Sequence, residues 1–159
     1  MDRCALAHQY HKQGYSCAQS VAAAFADLTG WEPEYLFAAA GSFGGGVGGS
    51  HEEQCGAVSG ALLVLGLLFP HTQAEDREAK KEIFSLAKQF RQRFFETFGH
   101  TRCGDLLRSR CGVSEKNTAA ARLGLTAHCD IMVVTAVELL SSLLEEHMRQ
   151  SEADAHHPQ

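Results

Sequence analysis

Along most of the chain apolar residues recur every three or four positions, and almost nowhere do they alternate with polar ones over the length of a strand. This pattern predicts helices. Tyr15 to Leu28 has Ser16 as N-cap, an Ala-rich body and a Thr29-Gly30 stop, which places Cys17 in the first turn. A short helix is expected from Pro33, a residue favoured at the first helical position, through Leu36 to Ala40, ahead of Gly41. Gly44 to Gly49 reads as a loop. From about Glu53 to Phe69 apolar residues continue around the whole helix, as in a buried element, and Pro70 ends it. Thr72 and Glu75 have capping-box spacing at the head of the longest amphipathic helix, about Ala74 to Phe98. Ile83, Phe90, Phe94 and Phe98 form its core stripe, and Gly99 closes it. Cys103 to Leu107 adds a turn or two, and Ser109 to Ala127 is looser, with a short Ala-rich helix inside it. The last strong element runs from about His128 to Met148, with Val133, Val137, Leu140 and Leu144 on one face.

The expected fold is therefore all-α: a single-domain helical bundle of about five to seven helices with a Gly-rich loop. Residues 1–150 form the domain, and 151–159, with His156, His157 and Pro158, form a polar tail expected to be disordered. A chain of 159 residues that is 45% hydrophobic can bury one substantial core. The net charge of −5 is spread without long single-sign blocks, which argues against nucleic acid or an anionic membrane surface as partner. Ala57 to Phe69, the longest apolar run, is interrupted by Ser59 and falls short of the roughly 20 residues a membrane span needs. The N-terminus turns polar at Gln9, His11 and Lys12 before an export signal could form, so a cytoplasmic, reducing location is expected.

Six cysteines change the picture. In a reducing compartment they point to metal or redox chemistry and away from a disulfide framework. There is no Cys-x-x-Cys pair, so any metal site must be assembled from distant segments. Cys17, Cys55 and Cys129 fall at expected helix starts, where the partial positive charge of the helix end stabilises a thiolate. Cys17, Cys55 and Cys103 each have a glycine within three positions.

Two histidines flank these thiols: His51, four residues before Cys55, and His128, next to Cys129. Each is a candidate metal ligand or base, although a half-exposed histidine near a helix start is the simpler reading. Glu52 and Glu53 read as first-turn acids of the helix that follows. Gly44-Gly45-Gly46-Val47-Gly48-Gly49 has the spacing of a dinucleotide fingerprint but follows a helical segment instead of a strand, so it is read as a loop of close approach over Cys55. Gly56 and Gly60, four apart, make a flat strip for helix packing and are the candidate positions lining a cofactor beside Cys55.

Cys55-Gly56-Ala57-Val58-Ser59-Gly60, together with Gly14-Tyr15-Ser16-Cys17, Ser42-Phe43-Gly44-Gly45-Gly46, Gly99-His100-Thr101-Arg102-Cys103 and Cys129, resembles the C-GCAxxG-C-C family, a group named for a suspected redox activity. The resemblance implies that Cys17, Cys55, Cys103 and Cys129 are the family cysteines and that Cys4 and Cys111 are extras. The pattern is also similar to a region of split-Soret cytochromes, which carry haem and an iron–sulfur centre. This chain has no Cys-x-x-Cys-His haem-attachment motif, so only the cluster carries over.

The leading expectation is thus that Cys17, Cys55, Cys103 and Cys129 converge to bind an iron–sulfur cluster for electron transfer or redox sensing. Zinc is the alternative metal, and no metal at all the other alternative. A metal-free thiol–disulfide oxidoreductase with Cys55 as nucleophile, helped by its helix start and by His51, is the rival. A non-catalytic helical interaction protein is the third reading. A redox partner is implied without being identified, and a helical surface of this size can support a homodimer.

Overall fold

The computed structural model describes residues 1–156. Nine α-helices carry these residues: α1 (Arg3–Lys12), α2 (Cys17–Ala23), α3 (Ala26–Thr29), α4 (Pro33–Ala40), α5 (Gly56–Leu68), α6 (Arg77–Phe98), α7 (Cys103–Ser109), α8 (Thr118–Arg122) and α9 (His128–Ala155). The only extended pairing among the described residues is one antiparallel bridge between Gln54 and Arg102. The fold is all-α, with more helices than the apolar pattern predicts. α1 buries only Cys4 and Ala7, too few positions to announce itself. The helix expected over Tyr15–Leu28 breaks at Ala24–Phe25, where Phe25 turns fully into the core with the Arg3 guanidinium over its ring. Packing has overridden helix propensity there.

α5 is the central element, apolar on every side, with Ala57, Val58, Ala61, Val64 and Leu65 completely buried. It begins at Gly56 with Cys55 as N-cap, so Glu52 and Glu53 lie in the preceding loop instead of in its first turn. α2, α6 and α9 pack around it. α6 starts at Arg77, later than the Thr72–Glu75 spacing suggests, because the Asp76 carboxylate accepts from the Ala79 N–H and caps the helix. Its Phe90, Phe94 and Phe98 are buried as the stripe predicts, each ring stabilising the core by roughly 1.5–3 kcal/mol. α9 runs on to Ala155, so the first five residues of the expected polar tail are helical, while 157–159 lie outside the described residues. No helix among the described residues is long and apolar enough to cross a membrane.

Candidate functional site

The four cysteines singled out by their context stand at the starts of four different helices. Cys17 is the first residue of α2, where Ser16 forms a capping box with Gln19: the Ser16 hydroxyl accepts from the Gln19 N–H, and the Gln19 side chain accepts from the Ser16 N–H. Cys55 is the N-cap of α5, Cys103 the first residue of α7, and Cys129 the second residue of α9.

Backbone hydrogen bonds clamp two of these starts together. The Cys55 N–H donates to the Thr101 carbonyl at 2.8 Å, the Cys103 N–H to Glu53 at 2.9 Å and the Gly104 N–H to His51 at 2.8 Å. The Gly-rich loop wraps the same region. Gly45, Gly46, Val47, Gly48 and Gly49 form an unbroken run of positive φ, from 60° to 72°, a left-handed stretch that residues with a Cβ resist. Glycine at 46 also leaves room for the site: a Cβ there would stand 2.7 Å from Cβ of Cys103. The Gly45 N–H points at the Cys17 sulfur, 3.4 Å away. The loop makes a close approach, but to Cys17 and Cys103, whereas the sequence reading places it over Cys55.

α2 and α5 meet through the glycine strip. A Cβ at Gly56 would lie 2.3 Å from the Cys17 sulfur, and one at Gly60 would lie 2.5 Å from the carbonyl oxygen of Ala18. The strip therefore faces α2 and its cysteine.

The thiols also influence one another electrostatically. Desolvation raises the thiols of Cys55 and Cys103, and that of Cys129 too although the residue as a whole is exposed, and in all three the next largest influence is the charge of Cys17. Cys103 adds to the effect at both Cys55 and Cys129. The Cys55 thiol is pushed up to about 12; the N–H groups of Ala57 and Val58 in its helix start oppose the shift and lose to burial. Desolvation of so deep a helix start outweighs its partial charge, which argues against Cys55 as an activated nucleophile. All six cysteines are free thiols, Cys17 half-buried and Cys129 exposed at the surface.

Cys4 and Cys111 belong elsewhere. The Cys4 thiol lies 3.7 Å from the Val134 carbonyl between α1 and α9, and Cys111 donates to the Phe98 carbonyl at 3.2 Å. His51 is at the site, but its Nδ1 stands 3.3 Å from the Cys103 sulfur and so serves a different thiol from its sequence neighbour Cys55. His128 lines a separate cleft of about 520 Å³ with Leu107 and Cys111; its buried Nδ1 has no hydrogen-bond partner, and burial lowers its pKa. Sequence reasoning missed Asp130, which follows Cys129 and accepts from His11 at 2.5 Å, with His8 at 3.7 Å, tying α1 to the start of α9. The three-residue spacing of His8 and His11, one helical face, was the available signal.

Among the described residues no three His, Cys, Asp or Glu side chains close on one point as the ligands of a single metal ion do. All four cysteines carry thiol donors; the Gly-rich loop lies against Cys17 and Cys103, and the Cys17 sulfur receives the Gly45 N–H.

The chain belongs to the C_GCAxxG_C_C family, whose model, described as "Putative redox-active protein (C_GCAxxG_C_C)", matches residues 15–143. No curated protein and no solved structure matches the chain.

Proposed function

We propose that Cys17, Cys55, Cys103 and Cys129 together hold an iron–sulfur cluster, making this family member an electron-transfer or redox-sensing protein. The observation that carries the reading is geometric: Gly56, next to Cys55, and the Gly-rich loop, which touches Cys103, both lie against the Cys17 sulfur. Metal-free, Cys55, Cys103 and Cys129 are held toward the protonated form; a cationic centre would reverse the preference and draw the protons off.

Bound there, a cluster supplies a reversible one-electron couple. The chain's own groups do the rest. Cys55 and Cys103 are buried and close the inner side to water, while the Gly45 N–H donates toward the Cys17 sulfur. Cys129 is exposed and gives a redox partner its nearest approach. The His11–Asp130 pair fixes the helix start that presents Cys129.

Protein purified without oxygen should be coloured, with visible absorption that bleaches on reduction and returns on oxidation. A colourless protein free of iron and acid-labile sulfide would overturn the proposal.

A further inference from the structure

We propose that His51 is a fifth residue of this centre: an N–H donor to the Cys103 sulfur that raises the reduction potential of the cluster. The inference rests on the cluster reading above and adds a residue outside the four cysteines. Nδ1 of His51 stands 3.3 Å from the Cys103 sulfur, within reach of an N–H···S hydrogen bond.

The placement is built into the backbone. His51 has φ of 62°, a left-handed conformation that a residue with a Cβ adopts at a cost. Both of its backbone polar groups are tied: its N–H donates to the Gly45 carbonyl, and its carbonyl accepts from the Gly104 N–H, each at 2.8 Å. One bond comes from the Gly-rich loop and the other from the first turn of α7, so His51 is held between the two segments that flank Cys103. Gly46 makes the room, since a Cβ there would stand 2.9 Å from Cα of His51 as well as against Cys103. His51 is exposed, so burial does not offset its unfavourable backbone. Such conformations persist at functional sites, where the surrounding structure enforces them.

The chemistry follows from charge. Reduction adds an electron to the cluster and its sulfurs, and a hydrogen-bond donor stabilises the more negative state. His51 therefore does at Cys103 what the Gly45 N–H does at Cys17. It is a positioning and tuning residue, acting through the cysteine it touches.

His51→Gly tests this cleanly, because glycine accepts positive φ without strain and the variant should fold at least as well as the parent. The cluster-loaded proteins are titrated spectroelectrochemically beside His51→Asn, which keeps an N–H donor on a residue that tolerates this conformation. Loaded His51→Gly should show a tenfold lower ratio of reduced to oxidised cluster at fixed ambient potential, a fall of about 59 mV for one electron, with unchanged iron and sulfide. His51→Asn should recover part of the shift. A loaded His51→Gly protein with the parental potential would overturn the inference while leaving the cluster reading intact. A folded His51→Gly protein that takes up no iron would overturn it in favour of a ligand role. A parent protein without iron and sulfide would remove the cluster reading, and this inference with it.

Discussion

Gly56 lies so tightly against Cys17 that a single methyl at position 56 would stand 2.3 Å from the cysteine sulfur. The glycine after Cys55 is thus the seat of a thiol carried by another helix, which ties the start of α5 to the start of α2.

Gly56→Ala decides whether that seat matters. Alanine is favoured over glycine in a helix by about 1 kcal/mol, so a free position would be stabilised. We expect destabilisation of roughly 1–3 kcal/mol from overpacking, a folded chain, and loss of bound metal as the Cys17 sulfur is pushed aside. Thermal unfolding and iron content measured together check it; a more stable variant with full iron would show that the contact is dispensable.

Gly60→Ala and Gly66→Ala form a matched pair on one helix. A Cβ at 60 meets the Ala18 carbonyl oxygen at 2.5 Å, backbone that cannot turn away, whereas a Cβ at 66 meets nothing within 4 Å. Gly60→Ala should lower stability by about 1–3 kcal/mol and Gly66→Ala should raise it by about 0.5–1 kcal/mol. Denaturant midpoints read both, and the same sign at the two positions would refute the packing account of the strip.

The fold class was legible because its signals are local. Pro33 at the head of α4, the Phe90, Phe94 and Phe98 stripe, and the glycine stops at 30 and 99, both left-handed, follow from backbone chemistry that neighbouring residues determine. What failed depended on contacts distant in sequence. Nothing near Phe25 shows that the core will pull its ring inward and split a helix. At the site, expected helix starts located Cys17, Cys55 and Cys129, and the family resemblance added Cys103, but the ionisation of Cys55 could not be read, since it turns on burial outweighing two N–H groups. His51 was placed by counting residues toward Cys55, whereas the Gln54–Arg102 bridge brings Cys103 to it across the chain.

Alkaline pH should weaken the reduced, metal-free protein. The Cys55 thiol rises from its ordinary value of 9.0 to about 12, so below pH 9 folded and unfolded chains are equally protonated and its contribution is fully present. Between pH 9 and 12 the unfolded chain alone loses this proton, and stability falls as pH climbs through that window. Cys4, also raised to about 12 by burial, acts in the same sense. Unfolding midpoints from pH 8 to 11 should drop more steeply for the parent than for Cys55→Ala; parallel curves would contradict the assignment.

The central claim, that four thiols act as one centre and two do not, is tested most directly by iron and acid-labile sulfide per chain in six single Cys→Ser variants purified without oxygen. The account predicts that Cys17→Ser, Cys55→Ser, Cys103→Ser and Cys129→Ser lose most of both, and that Cys4→Ser and Cys111→Ser keep the parental content. Equal losses at all six positions, or losses confined to Cys4 and Cys111, would contradict it.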